Sequence, residues 1–333
     1  MNEYLVPGLH TVRVPDARDE PREYLLFVPR GNVRGLVVIF HPFGSRPELV
    51  VHGGTDGEYL IRPLTGAASS AQALGMVVLA PRSRGRRLRG VSLAWKGHLD
   101  AVWTLSESLR QDFGLTRIGA GGLSMGGLEA LVFAGQHPEG VHAVWATNPI
   151  VDLAQWCRDL TGLDSSDGGP RLADQIGTEV GGAPDELPQE YRNRSALEYV
   201  ESLSRVRVLI SWSPADTVIP NQRTAHSHLL AARLRERGGD VVEEIVTHSP
   251  ANESVDRGRF AHEASNVREA MGWLAEAITA TCSTAVTLPA VTAVRLAGDG
   301  ALAENTGTVH SREKSHETHR IGNRTASRER GPL

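Results

Sequence analysis

The sequence predicts a doubly wound α/β fold: a mostly parallel sheet, opened by an antiparallel strand pair and carrying a small cap-like insertion. Three observations carry this. Short apolar runs without alternation recur along the chain, stretches with helical spacing lie between them, and the pattern breaks once, between Asn148 and Val206. Unbroken apolar runs bounded by turn residues suit strands buried on both faces, and their alternation with helices points to a parallel sheet.

Taken in order, residues 9–14 and 23–28 have strand character, and the charged turn 15–21 makes them an antiparallel pair. The apolar runs follow at 36–40, 76–80, 117–121, 141–146, 206–212 and 241–247. The segment 100–113 opens on Asp100, an acidic cap candidate, and places Val102, Leu105 and Leu109 at helical spacing. Further helices are expected over 125–137, 222–237 and 262–280. The stretch 149–205, with Trp156 and a proline- and acid-rich segment at 183–190, is too long for a plain connection and reads as a partly helical insertion over the site. Residues 1–282 thus form one domain. From 283 to 333 the composition shifts, with Thr, Ser, Arg, Glu and His dominant after Asp299 and no sustained periodicity, which predicts a disordered tail.

Composition narrows the function. A chain of 333 residues that is 40% hydrophobic can bury a sizeable core, and a formal net charge of −4 points to neither nucleic acid nor a membrane surface. Cys157 and Cys282 lie far apart without metal-ligand spacing, which predicts a reduced compartment. The first ten residues lack a basic region followed by an apolar run, and no apolar stretch approaches the roughly 20 residues of a membrane span, so a cytoplasmic protein is expected. The glycine-rich segments 31–35 and 53–57 do not end in Gly-Lys-Ser/Thr, and the histidines show no H-x-x-x-H pair. Neither a nucleotide, a cofactor nor a metal is expected.

The most informative stretch is Gly122–Leu123–Ser124–Met125–Gly126. It fits G-x-S-x-G, a strained strand-to-helix turn that lifts a nucleophilic serine out of the sheet. A serine hydroxyl needs a base, a group to orient that base, and donors for the oxyanion. Asp216 follows the strand run 206–212, so it lies where open α/β sheets build their sites. Two histidines compete as base. His262 precedes the last helix on a long loop and is the preferred one; His248 directly follows a strand and is the alternative. The order Ser…Asp…His is the same with either. The oxyanion donors are expected to be the N–H of Met125 and one from the loop His41–Pro42–Phe43–Gly44. Pro42 has no N–H, so Phe43 comes first and Gly44 second. His41 is expected to brace that loop rather than act as base.

Residues 1–280 resemble the α/β-hydrolase superfamily. Within it they are similar to the hydrolase domains of prolyl oligopeptidase-like and acyl-peptidase-like enzymes and related esterases. The resemblance rests on Gly122–Leu123–Ser124–Met125–Gly126–Gly127, on Arg194–Ser195–Ala196–Leu197–Glu198–Tyr199, and on Asp216–Thr217–Val218–Ile219–Pro220–Asn221–Gln222. It implies Ser124 as nucleophile, Asp216 as acid, and Met125 and Phe43 as oxyanion donors. The chain departs from the pattern in its His41–Pro42 pair and in lacking a Gly-His-Gly around the base. It also leaves no room for a propeller, which favours esters over peptides.

The reading is a serine hydrolase acting on a small-molecule ester or acyl substrate. A peptidase or aminopeptidase, which would need acids such as Asp164, Asp167, Asp185 and Glu186 to grip an amine, shares the same triad. So does an acyltransferase or thioesterase. A non-catalytic binding protein on the same scaffold is the rival from another class. Five arginines crowd residues 82–89, and Arg84, Arg86 and Arg87 are candidate partners for an anionic group on the substrate. Trp95 and Trp156 are candidate pocket walls.

Overall fold

The apolar runs fold as anticipated because each can be covered on both sides. The computed structural model describes residues 4–15, 21–52, 67–163, 168–247, 262, 267–280 and 292–296. The chain divides into two units, Met1–Ala297 and Gly298–Leu333, and everything described belongs to the first.

The strands are β1 (Gly8–Val14), β2 (Arg22–Val28), β3 (Gly35–Phe40), β4 (Met76–Pro81), β5 (Ile118–Leu123), β6 (Val141–Thr147), β7 (Arg207–Trp212), β8 (Val241–Thr247) and β9 (Thr292–Leu296). They form one sheet in the order β1-β2-β4-β3-β5-β6-β7-β8-β9. β1 and β2 pair antiparallel, as do β2 and β4, and every other pairing is parallel. Thr292–Leu296 falls in the stretch expected to be a disordered tail; it instead adds a parallel strand beside β8.

The helices are α1 (Pro47–His52), α2 (Ala67–Leu74), α3 (Lys96–Asp112), α4 (Met125–Gln136), α5 (Leu153–Thr161), α6 (Gly169–Val180), α7 (Pro188–Asn193), α8 (Val200–Leu203), α9 (Ser227–Glu236) and α10 (Val267–Thr279). α3 starts before Asp100, which is not its cap: Lys96 donates to Asp100 one turn on. α5 to α8, with a 3-10 turn at Ala196–Tyr199, make up the expected insertion between β6 and β7. Among the described residues no helix is long and apolar enough to cross a membrane.

Side chains alternate along each strand and feed two cores. Leu36, Val38 and Phe40 pack with Leu99 and Val102 of α3 and with Leu128, Leu131 and Phe133 of α4. Val37 and Ile39 face the other way, onto Val51, Ala71, Met271, Leu274 and Ile278. Each such aliphatic side chain contributes roughly 1.5–3 kcal/mol when fully buried. α4 is buried from Met125 to Gly135, sandwiched between the sheet and the insertion. A helix enclosed on all sides should be apolar all round. α4 obeys this except at Glu129, which is wholly buried.

Candidate active site

Ser124 caps α4 with φ 59° and ψ −121°, a region that disfavours any residue with a Cβ. The turn that forces this geometry depends on its glycines. A Cβ on Gly122 would come within 2.4 Å of the Gly126 backbone, and one on Gly126 within 2.2 Å of the Phe40 carbonyl oxygen. The elbow is closed by the Ser124 N–H donating to the Thr147 carbonyl at 2.9 Å, and the serine is 4% exposed.

Asp216 lies beyond β7 on a loop folded around its own carboxylate. Oδ1 accepts the N–H groups of Val218 (2.9 Å) and Ile219 (3.0 Å). Oδ2 accepts from His262 Nδ1 at 2.8 Å and from the Gln222 amide at 3.1 Å. Ser227 donates to the Gln222 carbonyl oxygen at 2.6 Å and fixes that amide. Asn148, at φ 41° just past β6, ties the two arms together. Its Oδ1 accepts the Ser213 N–H at 2.8 Å, and its Nδ2 donates to the His262 carbonyl at 3.0 Å. With Nδ1 committed to Asp216, Nε2 of His262 is left as the basic nitrogen. Among the described residues no hydrogen bond joins the Ser124 hydroxyl to His262; such bonds often tighten only with substrate bound. The competing base, His248, lies outside the described residues.

The expected oxyanion donors are both open. Among the described residues, neither the Met125 N–H nor the Phe43 N–H has an acceptor. Phe43 sits in a turn closed by the Ser45 N–H on the Pro42 carbonyl (3.1 Å), with exposed Gly44 at φ 71°. His41 braces this turn, as expected. The Ser83 N–H donates to its Nε2 at 3.0 Å, so Nδ1 carries the proton and donates to the Pro42 carbonyl at 2.9 Å. Burial drives the His41 pKa down to about 4, which keeps it neutral.

The Ser83 hydroxyl in turn donates to Glu129 Oε2 at 3.0 Å, and Ser92 donates to Oε1 at 2.5 Å. Burial raises the Glu129 carboxyl to about 8 against the opposing pull of these hydroxyls.

The remaining candidates make contacts of their own. Arg87 donates to the Glu179 and Val180 carbonyls at the end of α6, where the helix dipole favours a cation. The N–H groups of Arg86, Arg87 and Leu88 all donate to the Glu179 carboxylate, and buried Arg194 pairs with it at 3.2 Å. Arg84 pairs by its backbone with Arg89 across the loop. The arginine-rich loop is thus a strap onto the insertion. Trp95 lies under the Arg22 guanidinium, 5.7 Å from the ring centroid. Trp156 is 1% exposed and is core rather than pocket wall, but its Nε1 donates to the Val218 carbonyl at 3.0 Å and so holds the acid loop. Trp156→Phe is expected to cost about 1 kcal/mol, because it removes the donor to that half-buried carbonyl; equilibrium urea unfolding measures it.

Sequence reasoning missed Asn148, Gln222 and Glu129. Only Glu129 carried a legible signal, as the single charge in the apolar run 125–135.

The geometry has counterparts of known structure. The Agrobacterium tumefaciens S-formylglutathione hydrolase superposes with a TM-score of 0.52 at 18% identity, covering 81% of this chain and 95% of that one. The Pyrobaculum calidifontis esterase gives 0.54 at 17% identity, covering 82% and 84%. The Pyrococcus horikoshii acylaminoacyl peptidase gives 0.56 at 17% identity, covering 86% of this chain but 44% of that one. At these identities the likeness establishes a shared fold, that of the α/β-hydrolases. No curated protein matches the chain significantly. The model of the prolyl oligopeptidase family, a family of serine hydrolases, matches residues 65–280, a span that takes in the serine elbow, the acid loop and His262. The chain belongs to the prolyl oligopeptidase family.

Proposed function

We propose that the protein hydrolyses carboxylic esters through an acyl-enzyme on Ser124, with His262 as base and Asp216 as the acid that orients it. The observation that carries this reading is the buried His262–Asp216 pair, closed at 2.8 Å on the chain whose serine sits at the elbow.

His262 Nε2 takes the proton of the Ser124 hydroxyl as Oγ bonds to the ester carbonyl carbon. The N–H groups of Met125 and Phe43 hold the negative oxygen. Asp216 steadies the imidazolium. The carbon–alkoxy bond then breaks, and Nε2 hands its proton to the departing alkoxide. A water molecule repeats the sequence: its proton passes to Nε2, its oxygen bonds to the acyl carbon, and Oγ leaves with that proton.

Esters are favoured over peptides by what surrounds the insertion. A free amine needs unengaged acids, yet Asp185 pairs with Arg158 and Glu186 accepts the Ala183 N–H. Asp164 and Asp167 lie outside the described residues. Amide hydrolysis is the second reading, favoured by the family match.

A fluorophosphonate probe, followed by mass spectrometry, tests the assignment. The expected adduct is on Ser124, kept in His248→Ala and lost in His262→Ala. An unlabelled Ser124 in the wild type overturns the reading; loss of labelling in His248→Ala instead transfers the base role to His248.

A further inference from the structure

Glu129 carries a buried carboxyl on a helix that is otherwise apolar and enclosed, and the reaction scheme leaves it without a role. Its two hydroxyl partners show what it does. Ser83 and Ser92 both belong to the segment after β4. The same Ser83 gives its backbone N–H to His41 Nε2, and His41 Nδ1–H points at the Pro42 carbonyl. That carbonyl and the Phe43 N–H are two ends of one planar peptide unit. Fixing the direction of the carbonyl therefore fixes the direction of the N–H.

The chain of contacts begins on α4, whose first free N–H is that of Met125. It ends on the peptide that carries the second donor. Ser92 anchors the other flank: Leu93 and Ala94, which follow it, hold φ of 45° and 55°, and Arg194 donates to the Ser92 carbonyl at 3.1 Å. Left-handed residues of this kind persist only where the surroundings over-determine them.

We propose that Glu129 is a positioning residue that holds the Met125 and Phe43 N–H groups in register, acting through Ser83, His41 and the Pro42–Phe43 peptide. It touches neither the substrate nor the reacting atoms. The inference rests on the ester-hydrolase reading above and adds to it the origin of its oxyanion geometry.

Oxyanion donors act on charge that develops in the transition state, so misaligning one lowers kcat and leaves KM in place. Glu129→Leu keeps the volume and removes both acceptors. With p-nitrophenyl acetate its kcat is expected to fall by about 10- to 100-fold with KM within about 2-fold, and its rate of fluorophosphonate labelling to fall in parallel. Glu129→Gln, a neutral isostere of the buried acid, is expected to restore most of the loss. Ser83→Ala cuts the same chain one link away and supplies the test if Glu129→Leu does not fold; its kcat is expected to fall likewise. Combining Glu129→Leu with Ser83→Ala should cost no more than the larger single effect. Wild-type kcat and labelling rate in either folded variant, or equal changes in kcat and KM, overturn the inference. Those results leave the ester-hydrolase reading standing, because that reading fails only where wild-type Ser124 is itself unlabelled.

Discussion

Replacing Ser124 with glycine is expected to abolish hydrolysis of p-nitrophenyl acetate and, in the same molecule, to raise the melting temperature by a few degrees. Both effects come from one backbone position. With the hydroxyl gone, no acyl-enzyme forms, and turnover should drop by at least about 10³-fold, to whatever oxyanion and binding effects alone sustain. The stability gain arises because Ser124 holds φ 59° and ψ −121°, where a Cβ clashes with the backbone and glycine does not. Strain of this kind costs about 1–3 kcal/mol, partly offset by the roughly 0.5–1 kcal/mol of entropy that glycine loses on folding. The net gain, between about 0 and 2.5 kcal/mol and centred on about 1 kcal/mol, corresponds to a rise of a few degrees for a domain of this size. Ser124→Ala is the control: it should lose the same activity without the same rise, since alanine keeps the Cβ. Calorimetry on the three proteins decides the matter, and a fall in melting temperature for Ser124→Gly would show that the elbow is not strained.

The second large effect is in pH. His41, His98 and His226 are fully buried, and burial pushes their pKa values from 6.5 to about 4, 3 and 4. Half-buried His137 and His142 move in the same direction, also by desolvation. His98 is the extreme case, with no hydrogen-bond partner among the described residues on either ring nitrogen. Below pH 6.5 the unfolded chain binds protons that these folded sites refuse, so stability is complete above that pH and drains away as pH falls towards 4. Glu129 runs the other way. Its folded value of about 8 exceeds the unfolded 4.5, so its contribution is complete below 4.5 and is lost as pH rises to 8.

Each proton is worth roughly 1.4 kcal/mol per pH unit. Between pH 6.5 and 4.5 the three histidines outweigh the one glutamate by two protons, about 5 kcal/mol over the interval. That rivals the whole stability of many domains. The melting temperature should therefore peak near pH 6.5, fall gently towards pH 8 and fall steeply towards pH 4.5. His98→Leu should shallow the acidic limb and Glu129→Gln should flatten the alkaline one. A melting temperature that stays level from pH 6.5 to 5 would contradict the account.

Much of this was legible in the sequence because it is local. The runs that became β3 to β7 are mostly apolar on both faces, β8 less so with Glu243 and Glu244, and the elbow glycines announce a turn that only they can close. Ser124 was expected from its motif, and Asp216 and His262, the preferred of two histidines, from position relative to a strand or a helix; the structure joins the last two at 2.8 Å. What escaped depends on contacts between distant segments. The helix expected from Gln222 begins instead at Ser227, because Asn221 turns left-handed at φ 64° and Gln222 is drawn into the Asp216 carboxylate. β9 escaped because Thr292–Leu296 has nothing to pair with until β8 is in place. Arg87 looked like a site for an anion, and the anion it lies beside is the buried end of a helix in its own chain. In each case the deciding partner lay beyond the window that one segment offers.

Asn148 gives the experimenter a probe that the molecule already carries. Its single carboxamide bonds the backbone of the acid loop with its oxygen and the backbone of His262 with its nitrogen, yet it has no proton to lose or gain. In a nitrogen-15 correlation spectrum its two amide protons give separate resonances, and the one held by the His262 carbonyl is shifted by that bond. Movement of either arm during a catalytic cycle would register in that one pair of resonances, without a label being placed on any group that takes part in the chemistry.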